Sequence, residues 1–193
     1  MTGITWWWIR HAPTHSTTLT GWRDVPADFS DQGALDRLER FLPFDAAVVA
    51  SDLCRCSQTA DKIASARPRL PDTEQLREID FGVWDGLEFN EISKKWPELS
   101  REFWENPGDV SAPNGESWNL TQHRVARFVE EVNQSQRYKN VIAVAHFGVI
   151  LTQVQLARQQ TPHQALAQKI DNLSVTKLTF DGMWTEEFVN HST

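Results

Sequence analysis

The chain has 193 residues, enough to bury one full core, and its length favours a single domain spanning residues 1–193. Its 19 basic and 26 acidic side chains leave a formal charge of −7, which repels nucleic acids and anionic membrane surfaces, so neither is an expected partner. No segment approaches transmembrane length, Ile4–Ile9 is too short for a secretory core, and Cys54 and Cys56 are poorly spaced for a disulfide and too few for a zinc site; a reducing cytoplasm is the expected location. An anionic small substrate is also repelled at long range and needs a local basic pocket, so the placement of each arginine is informative.

Ile4 to Ile9 (ITWWWI) is a continuous apolar run of strand length, the mark of a strand covered on both faces. Ala34, Leu35, Leu38, Phe41 and Leu42 then recur at helical spacing and predict a helix from about Asp31 to the break at Pro43. Ala46–Ala50 (AAVVA) predicts a second buried strand, and Leu53–Ala66 a second helix. Residues 68–117 are less regular. Trp96, Leu99, Phe103 and Trp104 predict short helices, Asn106–Gly115 reads as loop, and residues 87–116 are expected to form a cap or insertion over the pocket. Ser117–Ser135 predicts a long helix, Val141–Ala145 (VIAVA) a third buried strand, and Gly148–Arg158 a further helix. Leu173–Phe180 and Met183–Val189, separated by Asp181 and Gly182, carry a hairpin signal. Alternating strands and helices predict an α/β fold, a three-layer α/β/α sandwich with a mostly parallel central sheet and a C-terminal hairpin.

Ligands of such sheets bind beyond the carboxyl ends of the strands. Arg10 and His11 follow the first run, Ser51, Asp52 and Arg55 the second, and His146, Phe147 and Gly148 the third. A parallel sheet brings these ends together, and arginine suits an oxyanion there because its planar fork donates bidentate hydrogen bonds and stays charged. The helix opening after His146 adds backbone N–H groups, and Gly148 lets a ligand approach. Unperturbed histidine is substantially neutral at pH 7, so His11 can attack phosphorus while Arg10, Arg55 and a protonated His146 stabilise the developing charge. The leaving oxygen needs a proton, which Glu78 or Asp80 could supply from an apolar setting; the residues alone leave that choice open.

In these blocks the chain resembles the histidine phosphatase superfamily, in its phosphoglycerate-mutase-like branch. The resemblance runs through Arg10-His11-Ala12-Pro13-Thr14, Gly21-Trp22-Arg23-Asp24-Val25-Pro26, the segment Ser51 to Ala60, Leu76 to Gly86 (LREIDFGVWDG), Gly115-Glu116-Ser117 and Ala145 to Ile150. It implies a phosphomonoester hydrolase in which His11 is the phosphorylated nucleophile, Arg10, Arg55 and His146 clamp the phosphate, and Glu78, rather than Asp80, is the proton donor. Thr17 falls about where many members place a phosphate-contacting asparagine, with Ser16 competing for that register, and Phe147 stands beside the clamp as a further phosphate-binding position. Ala12 replaces the usual glycine, and if that backbone needs positive φ, the alanine shifts His11.

The short chain resembles small phosphatases of the α-ribazole phosphatase type, with a small phosphorylated metabolite, such as α-ribazole 5'-phosphate, as substrate. A phosphoglycerate-type mutase and a catalytically impaired phospholigand binder are the alternatives; Lys94, Lys95 and Arg101 are sparse substitutes for the basic residues of a mutase insertion. Trp22 and Trp84 are candidates for stacking on a flat substrate, although among nine tryptophans packing is the stronger expectation for either. His15, His123, His163 and His191 have no metal-like spacing; no metal or cofactor is expected, and a homodimer is compatible with the sequence.

Overall fold

The computed structural model describes residues 3–193. Its five-stranded sheet is formed by β1 (Ile4–Arg10), β2 (Ala47–Ala50), β3 (Asn140–Ala145), β4 (Val175–Phe180) and β5 (Trp184–His191), in the order β2-β3-β1-β4-β5. The first three are mutually parallel, whereas β4 runs antiparallel to β1 and pairs with β5 as the expected hairpin. Helices α1 (Gln32–Phe41), α2 (Cys54–Ala64), α3 (Phe89–Lys95), α4 (Pro97–Glu105), α5 (Trp118–Ser135), α6 (Phe147–Arg158) and α7 (Pro162–Leu166) complete the α/β architecture. Among the described residues, no helix is long and apolar enough to cross a membrane.

The three apolar runs became the three parallel strands because both faces of each are covered. Along β1, Trp6 and Trp8 point to one side, where they stack with ring centroids 5.1 Å apart within a core that includes Val125 and Val129 of α5 and Val149 and Ile150 of α6. Ile9 faces the other side and packs with Leu35 and Leu38 of α1 and Ala60 and Ile63 of α2. The period of two in a strand sorts consecutive tryptophans between the layers, leaving Trp7 half-buried against Phe41 and Phe188.

Local signals explain the ends. The Asp31 carboxylate accepts the Ala34 N–H at 2.9 Å and caps α1. Helix α2 stops at Ser65, whose φ is +50°, earlier than the spacing predicted. Ser117 caps α5 by accepting the Leu120 N–H. Gly182, at φ +107°, turns the chain between β4 and β5. Helix α7 is five residues long and went unpredicted; Thr161 and Gln164 hold it with reciprocal capping bonds.

The register aligns the ends that matter. Arg10 pairs with Ala145, the His11 N–H donates to the Ala145 carbonyl at 3.1 Å, and the Ser51 N–H donates to the Val144 carbonyl at 3.0 Å. The carboxyl ends of β1, β2 and β3 therefore lie side by side, as a parallel sheet requires.

Candidate active site

A cavity of about 470 Å³ opens over those ends, with Arg10, His11, Arg55 and Glu78 in its wall. His11 is 7% exposed. Its Nδ1 lies 2.7 Å from the Ala12 carbonyl oxygen, which can only accept, so Nδ1 carries the proton and Nε2 keeps a free lone pair. Burial, with Arg55 and Arg10 nearby, pulls the His11 pKa down to about 3, so the ring is neutral at physiological pH. Asn172 Nδ2 donates to the His11 carbonyl at 2.8 Å, and the Ala12 N–H donates to Thr59 Oγ1 at 3.0 Å, which pins the residue from both sides. Ala12 is fully buried and is not among the residues with positive φ, so the alanine imposes no backbone strain on its neighbour.

Arg10 Nη1 donates to the Ile170 carbonyl at 2.7 Å, and the guanidinium lies 5.5 Å from the centre of the Phe147 ring. Its Nε is buried without a hydrogen-bond partner. Arg55, at the start of α2, is 1% exposed; it donates to the Gly21 carbonyl at 2.6 Å, the Arg23 carbonyl at 3.0 Å and His146 Nδ1 at 3.3 Å. A guanidinium has five N–H donors, so two remain for a ligand.

His146 is fully buried and does not line the cavity; its ring stands behind His11 with centroids 5.2 Å apart. Because Nδ1 accepts from Arg55, the proton sits on Nε2, which lies 3.3 Å from Cys56 Sγ. Burial holds its pKa well below the ordinary histidine value, so the expected protonated His146 is instead a neutral ring. Thr17 is exposed and outside the cavity wall, whereas Ser16, Thr18 and Thr20 line it together with Phe147.

Glu78 reaches the same cavity and is 7% exposed. It accepts the Ile79 N–H at 3.0 Å and the Gly148 N–H at 3.0 Å, and burial outweighs these bonds, raising its pKa above the ordinary carboxyl value. The first turn of α6 thus gives its Gly148 amide to Glu78 rather than leaving it open to a ligand. A Cβ at Gly148 would come within 2.6 Å of Glu78 Oε1, so the glycine makes room for the carboxylate. Asp80 instead accepts the Gly82 N–H at 2.9 Å and braces a turn.

The Glu78 segment is tied down by Arg124, which sequence reasoning passed over, and by Trp22, expected to pack or to stack on a substrate. Arg124 donates to the carbonyls of Gln75, Arg77 and Glu78 and pairs with Glu116 at 2.6 Å. Trp22 donates its indole N–H to the Glu78 carbonyl at 2.7 Å and sits against the guanidinium groups of Arg77 and Arg124, so it is a brace. Trp84 is fully buried in the core, away from any ligand. Phe89 and Trp104 bring the 87–116 segment to the cavity wall.

The family model described as the histidine phosphatase superfamily (branch 1) matches residues 6–190. The chain belongs to the histidine phosphatase superfamily. It is 31% identical over 177 residues to the bifunctional protein Rv2228c of Mycobacterium tuberculosis, covering 89% of this chain but only 46% of that one. It is 25% identical over 178 residues to a 2,3-bisphosphoglycerate-dependent phosphoglycerate mutase of Parvibaculum lavamentivorans, covering 84% of this chain and 83% of the mutase. The α-ribazole phosphatase of Shigella flexneri has the same fold, with a TM-score of 0.82 at 20% identity over 98% of each chain. The chain spans about half the length of the first curated relatives it matches.

Proposed function

We propose that the protein hydrolyses a small phosphate monoester through a phosphohistidine on His11, without a metal or cofactor. The observation that carries this reading is the His11 ring: it is neutral, its Nδ1–H is committed to the Ala12 carbonyl, and its free Nε2 shares one cavity with two guanidinium groups and a buried carboxyl.

In the first step Nε2 bonds to phosphorus as the bond from phosphorus to the ester oxygen breaks, and the Glu78 carboxyl gives its proton to the departing alcohol. Arg10, in the cavity wall, and Arg55, through its two spare N–H groups, hold the equatorial oxygens. In the second step the Glu78 carboxylate takes a proton from water, whose oxygen attacks phosphorus. The bond from phosphorus to nitrogen breaks, inorganic phosphate leaves, and His11 and protonated Glu78 are restored. The raised pKa of Glu78 suits both roles, since it must hold a proton first and accept one later. In this scheme His146 acts as a neutral partner that orients Arg55 and backs His11.

The finer assignment is a phosphatase of the α-ribazole type rather than a mutase. Arg10 and Arg55 are the only cations in the cavity wall among the described residues, which gives the second acidic group of a phosphoglycerate no partner there. The ordinary backbone at Ala12 likewise removes support from a catalytically impaired binder. A panel of phosphomonoesters, with p-nitrophenyl phosphate first, tests the proposal. Turnover releasing inorganic phosphate, unchanged by a chelator, is expected; saturable binding with no turnover across the panel would overturn it.

A further inference from the structure

We infer that the site selects monoesters of an uncharged alcohol bearing a flat apolar body, and that Phe89 and Trp104 are the residues that recognise that body. The inference rests on the phosphohydrolase reading and adds the chemistry of the leaving group to it.

The cavity wall holds chemically distinct groups of residues. His11, Arg10, Arg55 and Glu78 are the charged and catalytic set, and the rest divides between aromatic and aliphatic side chains and several hydroxyls. The apolar side includes Phe81, Phe89, Trp104, Trp118 and Leu166. Trp118 is 2% exposed and its indole N–H already donates to Gln155 at 2.6 Å, so it offers a ligand only its carbon surface. Phe89 is 53% exposed, and its ring lies 6.1 Å from that of the half-buried Trp104. A large aromatic left in water beside a second aromatic, both in a cavity wall, gains from covering by a third flat surface.

The hydroxyl-bearing part of the wall is neutral. Ser16, Thr18 and Thr20 lie in a loop that bends at Thr18, and Ser16 Oγ bonds the Thr18 and Thr20 hydroxyls at 3.1 and 3.0 Å. A further guanidinium outside the wall, Arg23, donates to Thr18 Oγ1 at 2.8 Å and lies 3.7 Å from the Asp85 carboxylate. A carboxylate or second phosphate on the leaving group would lose its water to aromatic carbon without gaining a charged partner. A hydroxyl or ring nitrogen would meet hydroxyls.

The test uses the full chain and three alkyl esters with matched leaving-group chemistry: 2-(1-naphthyl)ethyl phosphate, ethyl phosphate and 3-phosphoglycerate. The naphthylethyl ester is expected to exceed both others in kcat/KM by about tenfold or more, mainly through KM, as burial of one aromatic group implies. Phe89→Ala and Trp104→Ala should each narrow the naphthylethyl-to-ethyl ratio severalfold, and Phe89→Lys should raise the relative rate on 3-phosphoglycerate. The corresponding phosphonates, which cannot be hydrolysed, give the same preference as a ratio of Kd values. Absence of turnover with the aromatic preference intact in the Kd values sinks the hydrolytic reading alone. A Kd or kcat/KM for the carboxylated ligand equal to or better than the naphthyl one, or ratios unmoved in both alanine variants, overturns the inference.

Discussion

Replacing Gly148 by alanine probes the contact between Glu78, the proposed proton donor, and the first turn of α6. The added Cβ lies 2.6 Å from Glu78 Oε1 and 2.8 Å from Ile79 Cδ1. Ordinary contact begins at 3.4 Å, so the carboxylate must recede by about 0.8 Å, and the recess is closed behind it by the Ile79 amide it already accepts. A displacement of that size at a reacting group costs on the order of 100-fold in rate, equivalent to about 2.7 kcal/mol of barrier. Alanine is favoured over glycine in a helix by roughly 0.5–1 kcal/mol, which offsets part of the crowding, so the melting temperature should move little. The assay compares an alkyl phosphate, whose alkoxide needs a proton to leave, with p-nitrophenyl phosphate, whose phenolate does not. The variant should lose about 100-fold in kcat on the alkyl ester and markedly less on the aryl ester. Equal losses on both, or a wild-type rate on the alkyl ester, would refute the placement of Glu78 as the acid.

Other outcomes follow from the same geometry. His11 has its pKa pulled down to about 3, so its ¹⁵N resonances should show one fixed neutral tautomer between pH 5 and 8; titration near the ordinary value of ~6.5 would contradict this. The unfolded chain binds a proton there below pH ~6.5 while the native chain does not until about pH 3, so stability is full above that window and falls as pH drops through it. Urea unfolding should lose about 2 kcal/mol at pH 5 relative to pH 7 from this residue, and His11→Gln should remove that part of the dependence. Because Glu78 must be protonated to donate and its pKa is raised, kcat should fall with rising pH at a value above the ordinary carboxyl range, and Glu78→Gln should abolish that limb. Asn172→Ala frees the His11 carbonyl from its 2.8 Å bond and should lower kcat severalfold with little change in KM, measured by steady-state kinetics. Arg124→Met strips the carbonyls of the Glu78 segment and leaves Glu116 unpaired, and should cost about 2 kcal/mol in urea unfolding.

The sheet was readable because its three parallel strands are covered on both faces, which demands the uninterrupted apolar runs at Ile4–Ile9, Ala46–Ala50 and Val141–Ala145. Their carboxyl ends then located Arg10, His11 and Arg55 at the cavity. What failed to show was whatever depends on a distant partner. Gly148 reads as an opening for a ligand until Glu78, 70 positions earlier, is seen to fill it. His146 reads as a cation until its complete burial is known. Thr17 and Ser16 are neighbours in a loop whose path is closed by hydroxyl contacts of Ser16 with Thr18 and Thr20, and the residues themselves do not reveal which of the two faces the cavity. Phe89 heads a short polar helix, FNEISKK, where a lone aromatic has the pattern of a surface residue. Asn172 and Arg124 act on backbone carbonyls, and no side-chain spacing records such contacts.

The central claim is a covalent phosphoryl group on His11. Rapid quenching of the protein in alkaline denaturant during turnover of a ³²P-labelled monoester, followed by peptide mapping at alkaline pH and a check that acid releases the label, measures it directly. The wild-type chain should carry label on the peptide containing His11, at up to one phosphoryl group per chain, and His11→Ala should carry none and turn over no substrate. Label on another residue, or undiminished turnover in the alanine variant, would contradict the account.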